Sequence, residues 1–142
     1  MSVNKFACFC GKVEVTVTGE PIAHIYCHCT DCRASKGSEF SSLIIVENDN
    51  LTVTKGEDLV KFYNKVNCER NFCTNCGTIV FLNTPDAPFK DVYPALQISG
   101  DLKFTPTVHC HYAEKVMSVK DGLPKYAHLP AIYGGSDDMC EE

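Results

Sequence analysis

The sequence predicts an all-β protein. Lys12–Val17 alternates polar and apolar residues with a period of two, which is typical of a half-buried strand. Other short apolar runs are separated by clusters of turn residues such as Glu47–Asn50. No segment keeps helical periodicity over a dozen residues. We therefore expect a fold of short strands joined by turns.

The predicted elements follow one another closely along the chain. Gly56 lies in a turn at Lys55–Asp58, and the strands on either side of it are predicted to pair as a hairpin. Thr30–Lys36 is the predicted helical segment, because Thr30 or Asp31 can cap its first backbone amides. The predicted strands are Lys12–Val17, Phe40–Val46, Leu51–Thr54, Leu59–Tyr63, Thr78–Leu82, Val92–Ser99 and Thr107–Tyr112.

The length of the chain predicts a single domain. With 142 residues, it has little room for two hydrophobic cores. We place this domain at residues 1–133. Residues 134–142 are acidic and rich in Gly, Ser and Asp, so we expect a flexible acidic tail there.

Charge and hydropathy argue against two classes of partner. The net charge of -5 is opposite to the basic surface that nucleic-acid-binding domains usually present. The longest aliphatic run, Leu43–Val46, is far shorter than the roughly 20 residues that cross a membrane. The residues that follow Met1 form no apolar signal-peptide core. We therefore expect a cytoplasmic protein without a nucleic-acid or membrane partner; its oligomeric state stays open.

Ten cysteines in 142 residues make metal binding the leading interpretation. A reducing compartment disfavours disulfides, and a chain of this length buries a core without covalent cross-links. Seven of the ten cysteines lie in tight clusters, and closely spaced thiols can share one ion. The clusters are Cys8–Cys10, Cys27–Cys32 and Cys73–Cys76.

Two of these clusters are pairs that together suit a closed site. Cys73 and Cys76 have the spacing of a turn that presents two sulfurs on one side, and Gly77 relieves crowding after the second. Cys8 and Cys10 are predicted to lie on a strand, where residues two apart face the same way. Four thiolates fill a tetrahedral structural zinc site.

The third cluster offers Cys27, Cys29 and Cys32 within six residues, so one loop can hold an ion with three thiolates. Such a site has an open fourth position, where a substrate can bind and react. Spacing alone leaves open whether another residue closes the site. We expect His28 to face away from the metal. The candidates for a closing ligand are His24, His28, Cys68, His109, Cys110 and His111.

Some polar residues near these clusters carry weaker signals. His109 and His111 are predicted to share one face of a strand, with Cys110 on the other. They could form a third metal site or supply a general base, although a plain strand face is the favoured interpretation. Arg33 and Arg70 flank the cysteine motifs and could offset thiolate charge or hold a substrate carboxylate, with a structural role favoured for Arg70.

Five segments together resemble the glutathione-dependent formaldehyde-activating enzyme family, which includes centromere protein V. Three contain the clustered cysteines, and two lie further along the chain. Seven cysteines in this order and spacing are a specific match, and the resemblance extends over residues 6–126. The segments are Cys8–Gly11, Tyr26–Arg33, Arg70–Thr78, Ile98–Leu102 and Asp121–Pro124, and His109 near the start of a predicted strand also resembles the family pattern.

The resemblance implies a β-tent fold, built of short antiparallel sheets around zinc-binding loops, with two Zn²⁺ sites. It implies a structural zinc held by the two cysteine pairs and a catalytic zinc held by the cysteine trio. Carried over by position, the structural ligands are Cys8, Cys10, Cys73 and Cys76, and the catalytic ligands are Cys27, Cys29 and Cys32.

The function that the resemblance implies is a zinc-dependent carbon–sulfur lyase or ligase. It would use a small-molecule thiol, glutathione, together with an aldehyde or another electrophilic carbon, in the manner of an S-hydroxymethylglutathione synthase. Two alternatives are a non-catalytic zinc-binding module for a protein partner and a redox or metal-buffering protein. The sequence does not identify the electrophile.

Overall fold

The computed structural model describes residues 2–142 and shows eleven strands, one α-helix and five one-turn 3₁₀ helices there. The strands are β1 (Val3–Ala7), β2 (Glu14–Thr18), β3 (Ala23–Cys27), β4 (Ser41–Glu47), β5 (Leu51–Lys55), β6 (Val60–Lys65), β7 (Cys68–Cys73), β8 (Ile79–Asn83), β9 (Phe89–Val92), β10 (Gln97–Ser99) and β11 (Val108–Cys110). The α-helix is α1 (Thr30–Lys36). The 3₁₀ helices are Asn48–Asn50, Glu57–Leu59, Pro94–Leu96, Tyr112–Glu114 and Ala131–Tyr133.

The all-β prediction is confirmed. Strands hold 40% of the residues and helices 16%, and α1 accounts for seven of the helical residues. The predicted helix has the predicted bounds, Thr30–Lys36. None of the helices in residues 2–142 has the length and apolar composition needed to cross a membrane.

The chain divides into two units. Unit 1 consists of the residues up to Ala23 together with Ile44–Phe104, and unit 2 consists of His24–Leu43 and Thr105–Glu142. Each unit therefore combines two separate stretches of the chain. The prediction of one domain at residues 1–133 stays a prediction.

Unit 1 contains two antiparallel arrangements of strands. In the first, the strand order is β10-β1-β2-β5. In the second, β9 pairs with the Ile44–Glu47 part of β4, and the order continues from β9 through β8 and β7 to β6. The alternating strand β2 buries Val15 and Val17 completely, as its period-two pattern predicts. Its buried face contributes to the apolar core of the unit, in which Cys8 and Cys73 also take part.

The predicted hairpin around Gly56 is wrong. The strands on its two sides are both present, but β5 pairs with β2 and β6 pairs with β7. Between them, Glu57–Leu59 forms a 3₁₀ turn. This turn carries the chain from one strand arrangement to the other, which local turn residues alone cannot reveal.

Two predicted strands are too long. Val92–Ser99 is interrupted by Pro94–Leu96, because proline has no backbone N–H with which to continue a strand ladder. Thr107–Tyr112 is reduced to β11, because the chain leaves the strand at His111, whose φ is 53°.

Unit 2 is organised around β3, β11 and α1. The two strands run parallel, with His109 opposite Tyr26 and Cys110 opposite Cys27. The His28 N–H donates to the Cys110 carbonyl at 3.0 Å, which extends this pairing into the loop before α1. The parallel pair therefore places the first trio cysteine beside residues that lie about eighty positions later in the sequence.

Residues 134–142, predicted to form a tail, have defined partners in unit 2. The Cys140 N–H donates to the Lys125 carbonyl at 2.8 Å, and the Ala127 N–H donates to the Asp138 carbonyl at 2.7 Å. The Glu142 carboxylate accepts a hydrogen bond from the Gly122 N–H at 2.8 Å.

Gly56→Ala is expected to destabilise the protein by about 3 kcal/mol. Gly56 has a φ of 71°, and a Cβ there would overlap the backbone carbonyl oxygen of Lys12. Chemical denaturation would measure the loss. Gly122→Ala is the matched control, since its φ is also positive but, apart from its two chain neighbours, no residue of 2–142 has an atom within 4 Å of the added Cβ. Equal effects of the two substitutions would contradict the proposed overlap.

Candidate metal centres

Cys8 and Cys10 lie in the turn between β1 and β2. Cys8 directly follows β1, and the Gly11 N–H donates to the Cys8 carbonyl at 3.0 Å. The prediction that both cysteines lie on a strand is therefore wrong. Their sulfurs come within 3.6 Å of each other because the chain turns back, and not because they share a strand face.

Cys73 and Cys76 form a second turn at the end of β7. The Gly77 N–H donates to the Cys73 carbonyl at 2.7 Å, and Gly77 has a φ of 83°, which glycine adopts without steric cost. The Thr78 hydroxyl accepts a hydrogen bond from the Phe9 N–H at 3.1 Å. This bond joins the second turn to the first.

The four sulfurs of these turns form one cluster, with every pair within 4.8 Å. The Cys10 sulfur lies 3.6 Å from that of Cys8 and 3.8 Å from that of Cys73. Two thiolates bound to the same tetrahedral zinc at about 2.3 Å are about 3.8 Å apart. The donor set and its spacing therefore fit a closed site for a soft metal ion.

Local hydrogen bonds favour the thiolate form at two of these cysteines. The Thr78 hydroxyl, 3.3 Å from the Cys76 sulfur, lowers the pKa of that thiol to about 5. A hydrogen bond from the Asn75 side chain lowers the pKa of Cys10. Burial raises the pKa of Cys73 to about 11. Cys10 and Cys76 are therefore the cysteines of this cluster that ionise most easily. A metal ion must displace the proton of Cys73 before that residue can bind.

The trio lies around the start of α1. Cys27 ends β3, and Cys29 is the N-cap residue of the helix. The Cys29 sulfur accepts a hydrogen bond from the Cys32 N–H at 3.2 Å. The capping residue is therefore Cys29, which precedes both predicted candidates, Thr30 and Asp31, and the cap draws the second and third cysteines together.

The three sulfurs form a second cluster, again with every pair within 4.8 Å. The Cys32 sulfur lies 3.5 Å from that of Cys27. Hydrogen bonds from Cys27 and Cys32 lower the pKa of Cys29 far below its usual value, and the contact with Cys29 raises the pKa of Cys27. The trio therefore favours one thiolate that two neighbouring thiols stabilise.

No fourth histidine, cysteine or acidic residue joins the trio within residues 2–142. None of them offers a ligand atom within 4.8 Å of all three sulfurs. His28 instead directs its Nε2 atom to His109 Nδ1, at 2.8 Å. Burial raises the pKa of Cys110 to about 12, so this neighbouring thiol stays protonated. Three sulfurs leave one tetrahedral position for a small molecule.

His109 and His111 do not share a face, so that prediction is wrong. His109 is fully buried on β11, whereas the left-handed backbone of His111 turns its ring toward Glu114, at 3.5 Å. His28 is also fully buried, and burial lowers its pKa to about 4. His109 therefore lies beside His28, whereas His111 lies beside Glu114.

Sequence reasoning missed a charged cluster next to His109. Asp121 Oδ2 lies 2.7 Å from His109 Nε2, and Asp121 Oδ1 lies 2.5 Å from Lys125 Nζ. Glu142 Oε1 is 2.9 Å from the same ammonium group. Lys125 is only 2% exposed, so it requires anionic partners. Two sequence signals were available: Asp121 begins one of the segments that resemble the family, and Asp121 and Lys125 are four residues apart.

The two arginines that flank the motifs differ in their surroundings. Arg33 lies on α1 and donates to the Thr30 hydroxyl through Nη2 at 3.2 Å. Arg70 lies on β7 and is 7% exposed. In both, Nε is buried and has no hydrogen-bond partner among residues 2–142.

The family model described as glutathione-dependent formaldehyde-activating enzyme matches residues 3–114. This segment contains all seven clustered cysteines and His109 but ends before Asp121. The chain is also similar to a solved structure of a Rhodobacter sphaeroides protein, with a TM-score of 0.54 and 23% identity. That match covers 65% of this chain and 85% of the other, and it shows a shared fold.

Curated fungal proteins are similar over 91 residues of the chain. Two of them are named "Putative glutathione-dependent formaldehyde-activating enzyme". The one from Phaeosphaeria nodorum is 36% identical over 91 residues, which is 61% of this chain and 48% of that protein. The one from Pyrenophora teres f. teres is 32% identical over 91 residues, with the same coverage. The match thus spans about half the length of these relatives.

Proposed function

Because the chain belongs to the glutathione-dependent formaldehyde-activating enzyme family, we propose that it is a zinc-dependent carbon–sulfur lyase or ligase. It joins a thiol cosubstrate, glutathione, to formaldehyde or another electrophilic carbon. The observation that carries this proposal is the trio of sulfurs at the start of α1, with no fourth protein ligand in residues 2–142. A reducing, cytoplasmic location suits a chain whose ten cysteines form no disulfide among residues 2–142.

The proposed reaction balances without an oxidant or a reductant. The glutathione sulfur forms a bond to the aldehyde carbon, and the π bond of the carbonyl breaks. The thiol proton is transferred to the carbonyl oxygen, so the product is S-hydroxymethylglutathione when the aldehyde is formaldehyde. The reverse reaction breaks the same carbon–sulfur bond.

Each cysteine cluster has a separate role in this proposal. Cys8, Cys10, Cys73 and Cys76 hold a structural zinc, because their four sulfurs leave no open position. Cys27, Cys29 and Cys32 hold the second zinc. A zinc ion held there would lower the pKa of a thiol that takes the open position. With three thiolate ligands, the occupied site would have a net negative charge, which would favour exchange of sulfur ligands over hydrolysis.

The proposal predicts that glutathione changes the spectrum of the cobalt-substituted protein. Visible d–d bands respond when a thiolate enters the fourth position of the trio. S-methylglutathione is the matched control, since it has the same carboxylates but no thiol. Product formation from ¹³C-formaldehyde, measured by NMR above the uncatalysed rate, tests the reaction itself. An unchanged spectrum with no added turnover would favour the non-catalytic module.

Arg33→Met is expected to raise the KM for glutathione about tenfold with little change in kcat. Arg33 follows Cys32 directly. Its Nη2 donates to the Thr30 hydroxyl, but its Nε has no partner among residues 2–142, so we expect the guanidinium to have a donor left for a glutathione carboxylate. Lys120→Met, which removes an exposed charge, is the control. Steady-state kinetics would separate the two parameters. An unchanged KM would show that Arg33 does not bind the cosubstrate.

A further inference from the structure

A continuous row of hydrogen bonds runs through the interior of unit 2 to the trio loop. His28 Nε2 lies 2.8 Å from His109 Nδ1, and His109 Nε2 lies 2.7 Å from Asp121 Oδ2. The other oxygen of Asp121 accepts from Lys125, which also contacts Glu142. His28, His109 and Lys125 are each at least 98% buried. Hydrogen bonds between buried side chains restrict their arrangement, and in this row only His28 Nδ1 lacks a partner among residues 2–142.

The charged end of the row determines where the protons lie. The buried ammonium of Lys125 keeps Asp121 ionised, so both carboxylate oxygens accept hydrogen bonds. A neutral His109 then donates from Nε2, and its Nδ1 is an acceptor. His28 must donate to that acceptor from its own Nε2. A doubly protonated His109 would instead donate from Nδ1 as well, which would place a hydrogen on the unpaired His28 Nδ1. Both imidazoles are therefore in the Nε2–H form, and His28 Nδ1 carries a lone pair.

The far end of the row agrees with this assignment. His28 Nδ1 is buried and has no hydrogen-bond partner among residues 2–142. The opposite assignment places a hydrogen on that atom and leaves a buried N–H without an acceptor. Orphaned buried N–H groups are rarer than under-satisfied acceptors. In the proton arrangement deduced from Lys125, the unpaired group is the acceptor lone pair of His28 Nδ1, which costs less free energy than an unpaired N–H.

We propose that His109, Asp121 and Lys125 are positioning residues that hold the trio preassembled through His28. His28 lies between Cys27 and Cys29, so its side chain anchors the segment that carries two of the three sulfurs. Its ring is held by the bond to His109 and stacks on Phe40 at a centroid distance of 4.7 Å. The inference rests on the proposed metal-binding role of the trio.

Nitrogen NMR of ¹⁵N-histidine-labelled protein, loaded with zinc, tests the proton arrangement directly. Long-range ¹H–¹⁵N correlations distinguish a protonated ring nitrogen from one with a lone pair. We expect the Nε2–H form at both His28 and His109. The Nδ1–H form at His28, or a doubly protonated His109, would overturn the proposal. This measurement needs no variant and no catalytic activity.

Asp121→Asn tests whether the row acts on the trio. The asparagine amide can donate to His109 Nε2, which reverses both imidazoles and places a buried, unpaired N–H on His28. We expect the cobalt affinity of the trio to fall about 10- to 100-fold, while the affinity of the four-sulfur site is unchanged. Competition with a chelator, monitored through thiolate-to-cobalt charge-transfer bands, would measure both sites.

His128→Gln is the matched control, since it removes an exposed imidazole from the same unit. Equal trio affinities in Asp121→Asn and His128→Gln would overturn the positioning role. If Asp121→Asn fails to fold, the NMR measurement on the wild-type protein still decides the proton arrangement. Failure of cobalt to bind the wild-type trio would instead refute the proposed function, so the two failures are distinguishable.

Discussion

Cys76→Ser is expected to unfold unit 1 or to make the protein insoluble. The four-sulfur cluster joins the β1–β2 turn to the end of β7, and Cys8 and Cys73 are part of the apolar core. Binding of a structural zinc to such a site supplies on the order of 10 kcal/mol of folding free energy in small zinc-binding peptides. That amount is comparable to the total stability of a typical domain. Losing one of the four thiolates therefore removes a large share of the free energy of unfolding.

Thermal melting and zinc content, measured on purified protein, would test this expectation. Cys68→Ser is the matched control, because Cys68 lies on β7 but belongs to neither metal cluster. We expect that control to change stability by about 1 kcal/mol or less. A soluble Cys76→Ser protein that melts like the control would refute the structural role of the four-sulfur site.

Cys29→Ser is expected to reduce activity to the uncatalysed rate and to leave the fold intact. Cys29 carries the thiolate of the trio, because its neighbours lower its pKa, and serine does not ionise in this way. Serine is, however, a good N-cap residue, so its hydroxyl can accept the Cys32 N–H in place of the sulfur. The helix should therefore persist while the metal site loses one of its three thiolate ligands.

Circular dichroism, metal content and turnover of ¹³C-formaldehyde with glutathione would separate these effects. We expect one metal ion per chain to be retained, with melting close to that of the wild type. A collapse as severe as that of Cys76→Ser would show that the trio is also structural. Full activity with one metal ion would show that catalysis does not use the trio.

Much of the local structure could be predicted from the sequence, because it depends on residues that are close along the chain. The alternating pattern of β2 and the bounds of α1 follow from such local preferences. The grouping of the cysteines follows from their spacing, since thiols a few residues apart can converge on one ion. The comparisons support the same family that those spacings resemble.

Prediction from local sequence fails where the strand or turn that a segment forms depends on its hydrogen-bonding partners elsewhere in the chain. Gly56 indicates a turn, but which strands pair on either side depends on β2 and β7, which lie elsewhere in the sequence. Cys8 and Cys10 show the alternate spacing of a strand, yet they lie in a turn closed by the backbone N–H of Gly11. In both cases, hydrogen bonds to other parts of the backbone override the local pattern.

The sequence by itself determined which residues can bind metal, because thiol chemistry and spacing are properties of the chain. Only the tertiary structure decided what surrounds them. The parallel pairing of β3 and β11 brings His109 to His28, and the partly exposed Asp121 and the buried Lys125 complete the row. A buried charge is stabilised by whichever opposite charge the fold places beside it. When the two charged residues are distant in sequence, no spacing or periodicity in the sequence indicates that they will pair.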